Sequence, residues 1–282
     1  MNLGVRAHDF GRLPAGDLAG RIAGHGFTCV QLAPPKAIAG FEPERENLTP
    51  HNARRICGEF RRHGIAIAVL GCYINLAGPD AALRRRELDR FKEYLRRAGD
   101  FGCALVGTET GSLNPNYSAH PGNRGEEAFQ LVRAGVRELA DEAERSGASV
   151  GIEGVERYVI SDARRLRRLI EEVGSDRVRV IFDPVNLLSP ENHADQDEII
   201  RETFDLLGDR IAVIHAKDFV VEAGRLRSVR SGRGRLNHTL LAELIRARTP
   251  QVPVLLEDTE PATVDEGVRF WRELLPGEGG AC

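Results

Sequence analysis

The sequence predicts an α/β protein folded as a single (β/α)8 TIM barrel. Short apolar runs alternate with amphipathic stretches along all 282 residues, and this alternation gives eight strand–helix pairs. Such a pattern requires a parallel sheet with helical connections, and eight repeats favour a closed barrel. The segment RAHDFGRLPAG after the first run lacks the glycine fingerprint of a dinucleotide-binding sheet, which argues against an open doubly wound fold.

The predicted strands are short runs of aliphatic and β-branched residues, as expected for parallel strands that are buried on both faces. They cover residues 3–6, 28–32, 65–70, 104–107, 149–153, 178–182, 211–215 and 252–256. The predicted helices cover residues 17–24, 49–63, 81–101, 125–146, 161–173, 195–207, 237–246 and 262–274. Thr49 before Pro50 and Ser161 before Asp162 are the expected caps of two of these helices.

Composition narrows the range of functions. We expect the barrel to occupy residues 1–275, followed by a C-terminal tail at 276–282. The formal net charge is −3, so the composition does not indicate the basic surface that a nucleic-acid partner would require, and we expect no such partner. No run approaches the roughly 18 apolar residues of a membrane span, and the first residues do not resemble a secretion signal, so we expect a cytoplasmic protein. Five scattered cysteines predict reduced thiols rather than disulfides.

The longest predicted loops all follow strands. They cover residues 33–48, 71–80, 109–124, 184–194 and 216–236. In a barrel, loops that follow strands lie together at the C-terminal face, where binding and catalytic sites are built. The sequence therefore predicts one site at this face.

Four polar residues end the last four predicted strands. Glu153 follows SVGI, Asp183 follows RVIF, His215 follows AVI and Glu257 follows VPVLL. A single glutamate at such a position is commonly the partner of an arginine or lysine, but four equivalent positions indicate a shared pocket. Clustered carboxylates repel one another unless a cation holds them together, and this mixture of oxygen and nitrogen ligands suits Mn²⁺, Mg²⁺, Co²⁺ or Zn²⁺. The pattern predicts one divalent metal ion.

The order Glu, Asp, His, Glu on strands five to eight resembles the xylose-isomerase-like TIM barrel superfamily, which has the AP endonuclease family 2 fold. The strings IEGVERY, FDPVNLL, VIHAKD and VLLED resemble its sugar phosphate isomerase/epimerase branch, and SGRGRLN resembles its G-x-G-x-x-D/N element. The resemblance implies that Glu153, Asp183, His215 and Glu257 bind one ion. It also implies that Glu153 and Glu257 are catalytic, one removing a proton from the substrate carbon and the other returning it on the opposite face.

The resemblance implies a metal-dependent isomerase or epimerase of carbohydrate metabolism that acts on a sugar or sugar phosphate through a cis-enediolate. The alternatives are a lyase that dehydrates a keto-inositol, an endonuclease IV-like nuclease, or a barrel that binds metal or sugar without catalysis. The nuclease is disfavoured because Asn75, Glu109 and Asn186 stand where its additional histidines are found. Relatives imply a homodimer or homotetramer.

The sequence also departs from the similar ketose 3-epimerases at three positions. Asn186, Val221 and Val159 replace a histidine, an arginine and a glutamate of their substrate site, so we expect poor activity on free ketohexoses. A polyol or sugar ligand still fits Asn186, because its amide both donates and accepts hydrogen bonds. The candidate substrate-binding residues are Asn186, Lys217, Glu109, Asn75 and His8.

Overall fold

Eight parallel strands close into a barrel in the computed structural model, which describes residues 2–42 and 47–276. The barrel strands are β1 Leu3–Arg6, β2 Cys29–Leu32, β3 Ala66–Gly71, β4 Leu105–Glu109, β5 Ser149–Glu153, β6 Val178–Phe182, β7 Ile211–Ala216 and β10 Val254–Leu256. Strands β8 Asp218–Glu222 and β9 Arg225–Val229 form a separate hairpin between β7 and β10. Strand β10 pairs with both β7 and β1 and so closes the ring. The predicted TIM barrel is confirmed.

Helices surround the barrel. They are α1 Ala15–Ala23, α2 Pro34–Ala37, α3 Pro50–Arg62, α4 Ala81–Arg97, α5 Glu126–Ser146, α6 Ala163–Val173, α7 Gln196–Leu207, α8 His238–Arg248 and α9 Val264–Leu274. Their apolar faces pack on the strands, and their outer faces carry ion pairs such as Arg85 with Glu138. Within the described ranges, no helix is both long and apolar enough to cross a bilayer.

Element boundaries follow the prediction closely. Predicted and observed barrel strands differ by at most two residues at either end. Thr49 caps α3 by accepting a hydrogen bond from the Asn52 amide, as predicted. Asp162, rather than Ser161, caps α6. The predicted helix at 81–101 ends as an α-helix at Arg97 and continues as a 3₁₀ turn.

Two elements lie where a loop was predicted. Helix α2 forms within residues 33–48, and the β8–β9 hairpin forms within residues 216–236. The hairpin turns at Ala223 and Gly224, whose φ angles are 49° and 73°. Two positive φ angles characterise the tight turn that connects twisted strands, and Asn-Gly is its usual sequence. Alanine at the first position hides this signal.

A layer of apolar side chains seals the inside of the barrel below the C-terminal face. It consists of Cys29, Val69, Leu105, Ile181, Val213 and Leu255. Gly107 leaves room for it, because a Cβ atom there would lie 2.7 Å from Ile181 Cδ1 and 2.8 Å from Val69 Cγ1. The cysteines at 29, 57, 72 and 103 are buried free thiols; Cys282, like the rest of the predicted tail from residue 277, lies outside the described residues.

Candidate metal and active site

The four residues predicted to bind metal converge above this apolar layer. Glu153, Asp183, His215 and Glu257 are each at most 4% exposed. Ligand atoms of the first three lie within 4.8 Å of one another. His215 Nδ1 is 3.3 Å from Glu153 Oε1, 3.4 Å from Glu257 Oε1 and 4.0 Å from Asp183 Oδ2. The strand ends therefore place three carboxylates around one imidazole nitrogen.

This arrangement fits a divalent ion. Two atoms bound to the same ion at about 2.1 Å lie roughly 3 to 3.4 Å apart, which is close to the separations around His215 Nδ1. Asp183 is oriented for such binding, because its Oδ1 accepts hydrogen bonds from the amides of Val185 and Asn186 at 2.9 and 3.1 Å. Its Oδ2 is left facing the imidazole.

Gln31 fixes the orientation of the His215 ring. The Gln31 side-chain oxygen lies 2.7 Å from His215 Nε2, and the Gln31 amide nitrogen donates to the Tyr73 hydroxyl at 2.6 Å. An imidazole that donates its Nε2 proton to Gln31 presents the Nδ1 lone pair to the carboxylates, where a metal would accept it. Gln31 is 1% exposed, so this contact is shielded from water.

Two cations also contact the cluster. Lys217 Nζ lies 2.8 Å from Asp183 Oδ2 and 3.1 Å from Glu257 Oε2. Arg6 Nη1 lies 3.5 Å from the same Glu257 oxygen. Burial opposes the charged form of Lys217, but the charges of Asp183 and Glu257 outweigh it and raise the pKa of Lys217. Lys217 is therefore a permanent positive charge inside the site.

The carboxyl groups and the imidazole titrate differently in this environment. Burial raises the pKa of Asp183 to about 6 against the opposing charge of Lys217. Burial also acts on Glu257, but His215, Lys217 and Arg6 together bring its pKa below the usual range. For His215, the charges of Glu257 and Glu153 outweigh burial and raise the pKa to about 9. Of Asp183, Glu257 and His215, the imidazole is the group that is mainly protonated at neutral pH when no metal is bound.

A cavity of about 510 Å³ opens above the cluster. The predicted site residues that line it are His8, Glu109, Glu153, Asn186, Lys217 and Glu257. Asp183 and His215 lie beneath them. The lining also includes Arg6, Gln31, Lys36, Tyr117, Arg157 and Tyr158, which the sequence analysis missed. Arg6 and Gln31 were detectable, since they occur on strands β1 and β2 near the same barrel end; Lys36 lies in the short helix α2, and the other three lie in loops without a periodic signal.

Asn186 and Glu109 both lie beside Glu153. Asn186 Nδ2 donates to Glu153 Oε1 at 2.6 Å. Glu109 is opposite Glu153 in the pairing of β4 with β5, and burial followed by the Glu153 charge raises the pKa of Glu109 to about 7. His8 lies on the other side of the mouth, where burial and then Arg6 lower its pKa to about 4. His8 is therefore neutral at neutral pH.

Asn75, a predicted substrate-binding residue, is not brought into the cavity with the others. It is 6% exposed, it is not among the residues lining the cavity, and its amide donates to Ser112 O while its oxygen accepts from the amides of Ala77 and Ser112. Gly111 packs so tightly here that a Cβ atom would lie 2.1 Å from Asn75 Oδ1. These contacts connect the loops after β3 and β4, so we assign Asn75 to loop structure instead of substrate binding.

The SGRGRLN segment is also structural. Asp218 accepts hydrogen bonds from the backbone amides of Gly232, Gly234 and Leu236 at 3.1, 2.8 and 2.8 Å. A Cβ atom at Gly234 would lie 2.1 Å from the Phe219 carbonyl oxygen, which explains the glycine. The segment folds around Asp218 and leads into α8, whose first turn Asn237 caps.

Comparison with known proteins agrees with this architecture. Solved structures with the same fold include a D-tagatose 3-epimerase-like protein at TM-score 0.77 and 17% identity, covering 98% of this chain and 97% of that one. They also include the IolI protein with a bound zinc atom, at TM-score 0.76, 15% identity and full coverage of both chains. A third is the probable 3-DHS dehydratase AsbF from Bacillus anthracis, at TM-score 0.73 and 14% identity, covering 97% and 98%.

No curated protein sequence matches the chain. The family model described as xylose isomerase-like TIM barrel matches residues 20–274, which is nearly the whole chain. The chain therefore belongs to the xylose isomerase-like TIM barrel family.

Proposed function

We propose that this protein is a divalent-metal-dependent isomerase or epimerase of a hydroxy-carbonyl carbohydrate. The observation that carries the proposal is the position of Glu153 and Glu257, whose Oε1 atoms lie 3.3 and 3.4 Å from the same imidazole nitrogen but come from strands on different sides of the barrel. Two buried carboxylates on either side of one centre suit the removal and return of a proton.

Glu153, Asp183, His215 and Glu257 would hold the ion. A bound Mn²⁺, Mg²⁺, Co²⁺ or Zn²⁺ would polarise the substrate carbonyl and make the neighbouring proton easier to remove. Side chains carry out the proton transfers. Either glutamate removes the proton, and the other returns it from the opposite face. Asn186, which contacts Glu153, is placed to bind a substrate hydroxyl and to keep that carboxylate oriented.

Lys217 adds a fixed positive charge to the same cavity. Its ammonium contacts Asp183 and Glu257 and lies at the cavity wall, where it would stabilise the oxygen that becomes negative as the proton leaves. The apolar layer below closes the other end of the barrel to water.

A lyase is the second candidate. Dehydration of a keto-inositol begins with the same proton abstraction but needs a further proton for the departing hydroxyl. Glu109 favours this possibility, because its pKa is raised to about 7 and it lies in the cavity beside Glu153. A carboxyl group that is partly protonated at neutral pH can supply that proton.

Proton exchange tests the proposal directly. Protein loaded with each metal in turn would be incubated with ketoses and inososes in deuterated water, and exchange at carbon would be followed by NMR. An isomerase or epimerase gives exchange with isomeric products, whereas a lyase gives a conjugated product that absorbs ultraviolet light. Asp183→Ala and His215→Ala should lose metal; folded variants that keep full occupancy would contradict the ligand assignment. Absence of exchange with every candidate substrate would contradict enzymatic activity of this kind.

A further inference from the structure

Two cations at the cavity mouth have no carboxylate partner among the residues that the structure describes. Arg157, in the loop after β5, and Lys36, in α2 after β2, both line the cavity. In residues 2–42 and 47–276, no carboxylate oxygen lies within 4.0 Å of either side chain. The other two cations of the lining differ in this respect, since Arg6 and Lys217 each contact carboxylates.

Each of these two cations lies over an aromatic ring. The Arg157 guanidinium lies 4.8 Å from the Tyr158 ring centroid and donates to the Tyr158 hydroxyl at 3.2 Å. The Lys36 ammonium lies 5.2 Å from the Tyr73 ring centroid. Both tyrosines also line the cavity. A cation over an aromatic face keeps most of its N–H groups available for a further partner.

The backbone of Arg157 is anchored as well. Its carbonyl oxygen accepts a hydrogen bond from Asn123 Nδ2 at 2.8 Å, and Asn123 is only 1% exposed. The guanidinium therefore extends from a fixed point of the β5 loop. Arg157 is one of the charges that act on Glu109, which places its charge over the β4–β5 side of the cavity.

The cavity is thus electrostatically polarised. Its inner end contains the carboxylate cluster, with Lys217 and Arg6 already paired to it. Its outer end contains Arg157 and Lys36, which no carboxylate of the described ranges contacts. A ligand with a carbonyl at one end and a negative group at the other would satisfy both ends, and Arg157 and Lys36 would orient it with the carbonyl inward.

We propose that Arg157 and Lys36 form an anion subsite, and that the substrate is a hydroxy-carbonyl compound with a phosphate or carboxylate group at the end distant from the reacting carbon. This inference rests on the proposed function for the identity of the inner group. Arg157 is the principal contact, because a guanidinium binds a planar carboxylate or a phosphate through two parallel hydrogen bonds. Lys36 supplies a second charge across the mouth.

Equilibrium binding tests this subsite without any requirement for turnover. The full-length protein loaded with Mg²⁺ would be titrated by calorimetry with D-fructose, D-fructose 6-phosphate and 5-keto-D-gluconate. We expect at least one anionic probe to bind about tenfold more tightly than fructose, the effect of one charge-assisted hydrogen bond. The phosphate and carboxylate probes distinguish the two anionic groups.

Variants then test which residue causes the preference for the anionic probe. Arg157→Gln should remove most of the preference for the anionic probe while the affinity for fructose changes less than twofold. Arg157→Lys should keep part of the preference, and Lys36→Gln should reduce it less. Arg201→Gln is the control, because Arg201 is exposed on α7 and does not line the cavity. Thermal melts would verify that each variant is folded.

Three outcomes would overturn the subsite: equal affinity for neutral and anionic probes, a preference that survives both glutamine substitutions, or no measurable binding of either anionic probe. Failure of the proposed function looks different. In that case no probe exchanges its carbon-bound proton, whereas a binding preference that depends on Arg157 persists.

Discussion

Two layers of inward-facing side chains fill the barrel, and they differ in chemistry while sharing the same strands. The lower layer is apolar, and the upper layer contains the candidate site. On four strands the two layers are two residues apart, in the pairs Cys29 and Gln31, Ile181 and Asp183, Val213 and His215, and Leu255 and Glu257. Side chains on a strand alternate between its faces, so a step of two residues moves one layer up the same face. Each of these four short segments thus supplies one side chain to the apolar layer and one to the candidate site.

The two layers are constrained by different properties. Volume constrains the lower layer, where glycines at 107 and 151 leave room for the Ile181 side chain beside strands β4 and β5. Charge constrains the upper layer, where three carboxylates, one imidazole and Lys217 lie within contact distance. Changes in the lower layer should therefore affect stability with little effect on metal binding, whereas changes in the upper layer should affect metal binding and catalysis.

The largest expected effect is on catalysis, from shortening the two glutamates of the upper layer. Glu153→Asp and Glu257→Asp preserve the charge but withdraw the carboxylate by about one carbon–carbon bond. A positioned base contributes about 10²–10⁴-fold, and a displacement of about 1 Å forfeits much of that. Proton exchange into the substrate should fall accordingly at saturating metal.

Glu202→Asp, on the outer face of α7, is the matched control for this pair, because Glu202 pairs with Arg164 away from the cavity. Variants that bind metal and still exchange at the parental rate would show that neither glutamate is the base. Glu109 would then be the first residue to examine, because it lines the cavity beside Glu153, whereas Lys217 stays protonated.

The next effect concerns stability and the lower layer. Ile181→Ala should lower the free energy of unfolding by about 2–5 kcal/mol, because it removes a fully enclosed aliphatic side chain and leaves a cavity. The number of metal ions bound per chain should stay the same. Denaturant unfolding of the metal-free protein measures the first quantity and metal analysis the second. Loss of metal in a folded Ile181→Ala variant would show that the layers are not independent.

A smaller effect is expected from Gln31, the polar residue directly above Cys29. Gln31→Leu removes the hydrogen bond that orients His215 and should weaken metal binding by about 10–100-fold, as is typical when a residue that supports a metal-bound histidine is lost. Tyr73→Phe removes only the outer hydrogen bond of this chain and should weaken binding less. Metal titration of both variants measures these effects. Equal metal affinities in Gln31→Leu and the parent would show that Gln31 does not support metal binding.

Much of this two-layer arrangement was predictable from sequence. A buried strand that ends in Glu, Asp or His is costly without a shared polar pocket. The apolar runs therefore predicted the barrel, and the polar residues at their ends predicted that Glu153, Asp183, His215 and Glu257 lie together. Contacts between loops were not predictable in the same way. Asn75 was assigned to substrate although its amide binds backbone groups, and Arg157 was overlooked because nothing in VERY indicates that its side chain lies over Tyr158 and the cavity. Loop side chains take their positions from tertiary contacts.

The smallest and most specific effect is the pH dependence of the upper layer. In the metal-free protein the neighbouring carboxylates raise the pKa of His215 to about 9, above the 6.5 of an unperturbed histidine. A raised folded-state pKa stabilises the fold fully below pH 6.5, and this stabilisation is lost as the pH rises through about 9. Metal binding needs the neutral imidazole, so it displaces this proton, and apparent metal affinity should increase about tenfold per pH unit up to pH 9.

This prediction is best tested above pH 7.5, because Asp183 and Glu109 titrate at about 6 and 7. Metal titrations at three pH values in this window, with proton release measured by calorimetry in two buffers, should give one proton released per ion bound. The lower layer contains no group that titrates below pH 10, since burial raises the pKa of its Cys29 to about 11. An affinity that does not change with pH would therefore mean that His215 is already neutral before the ion binds.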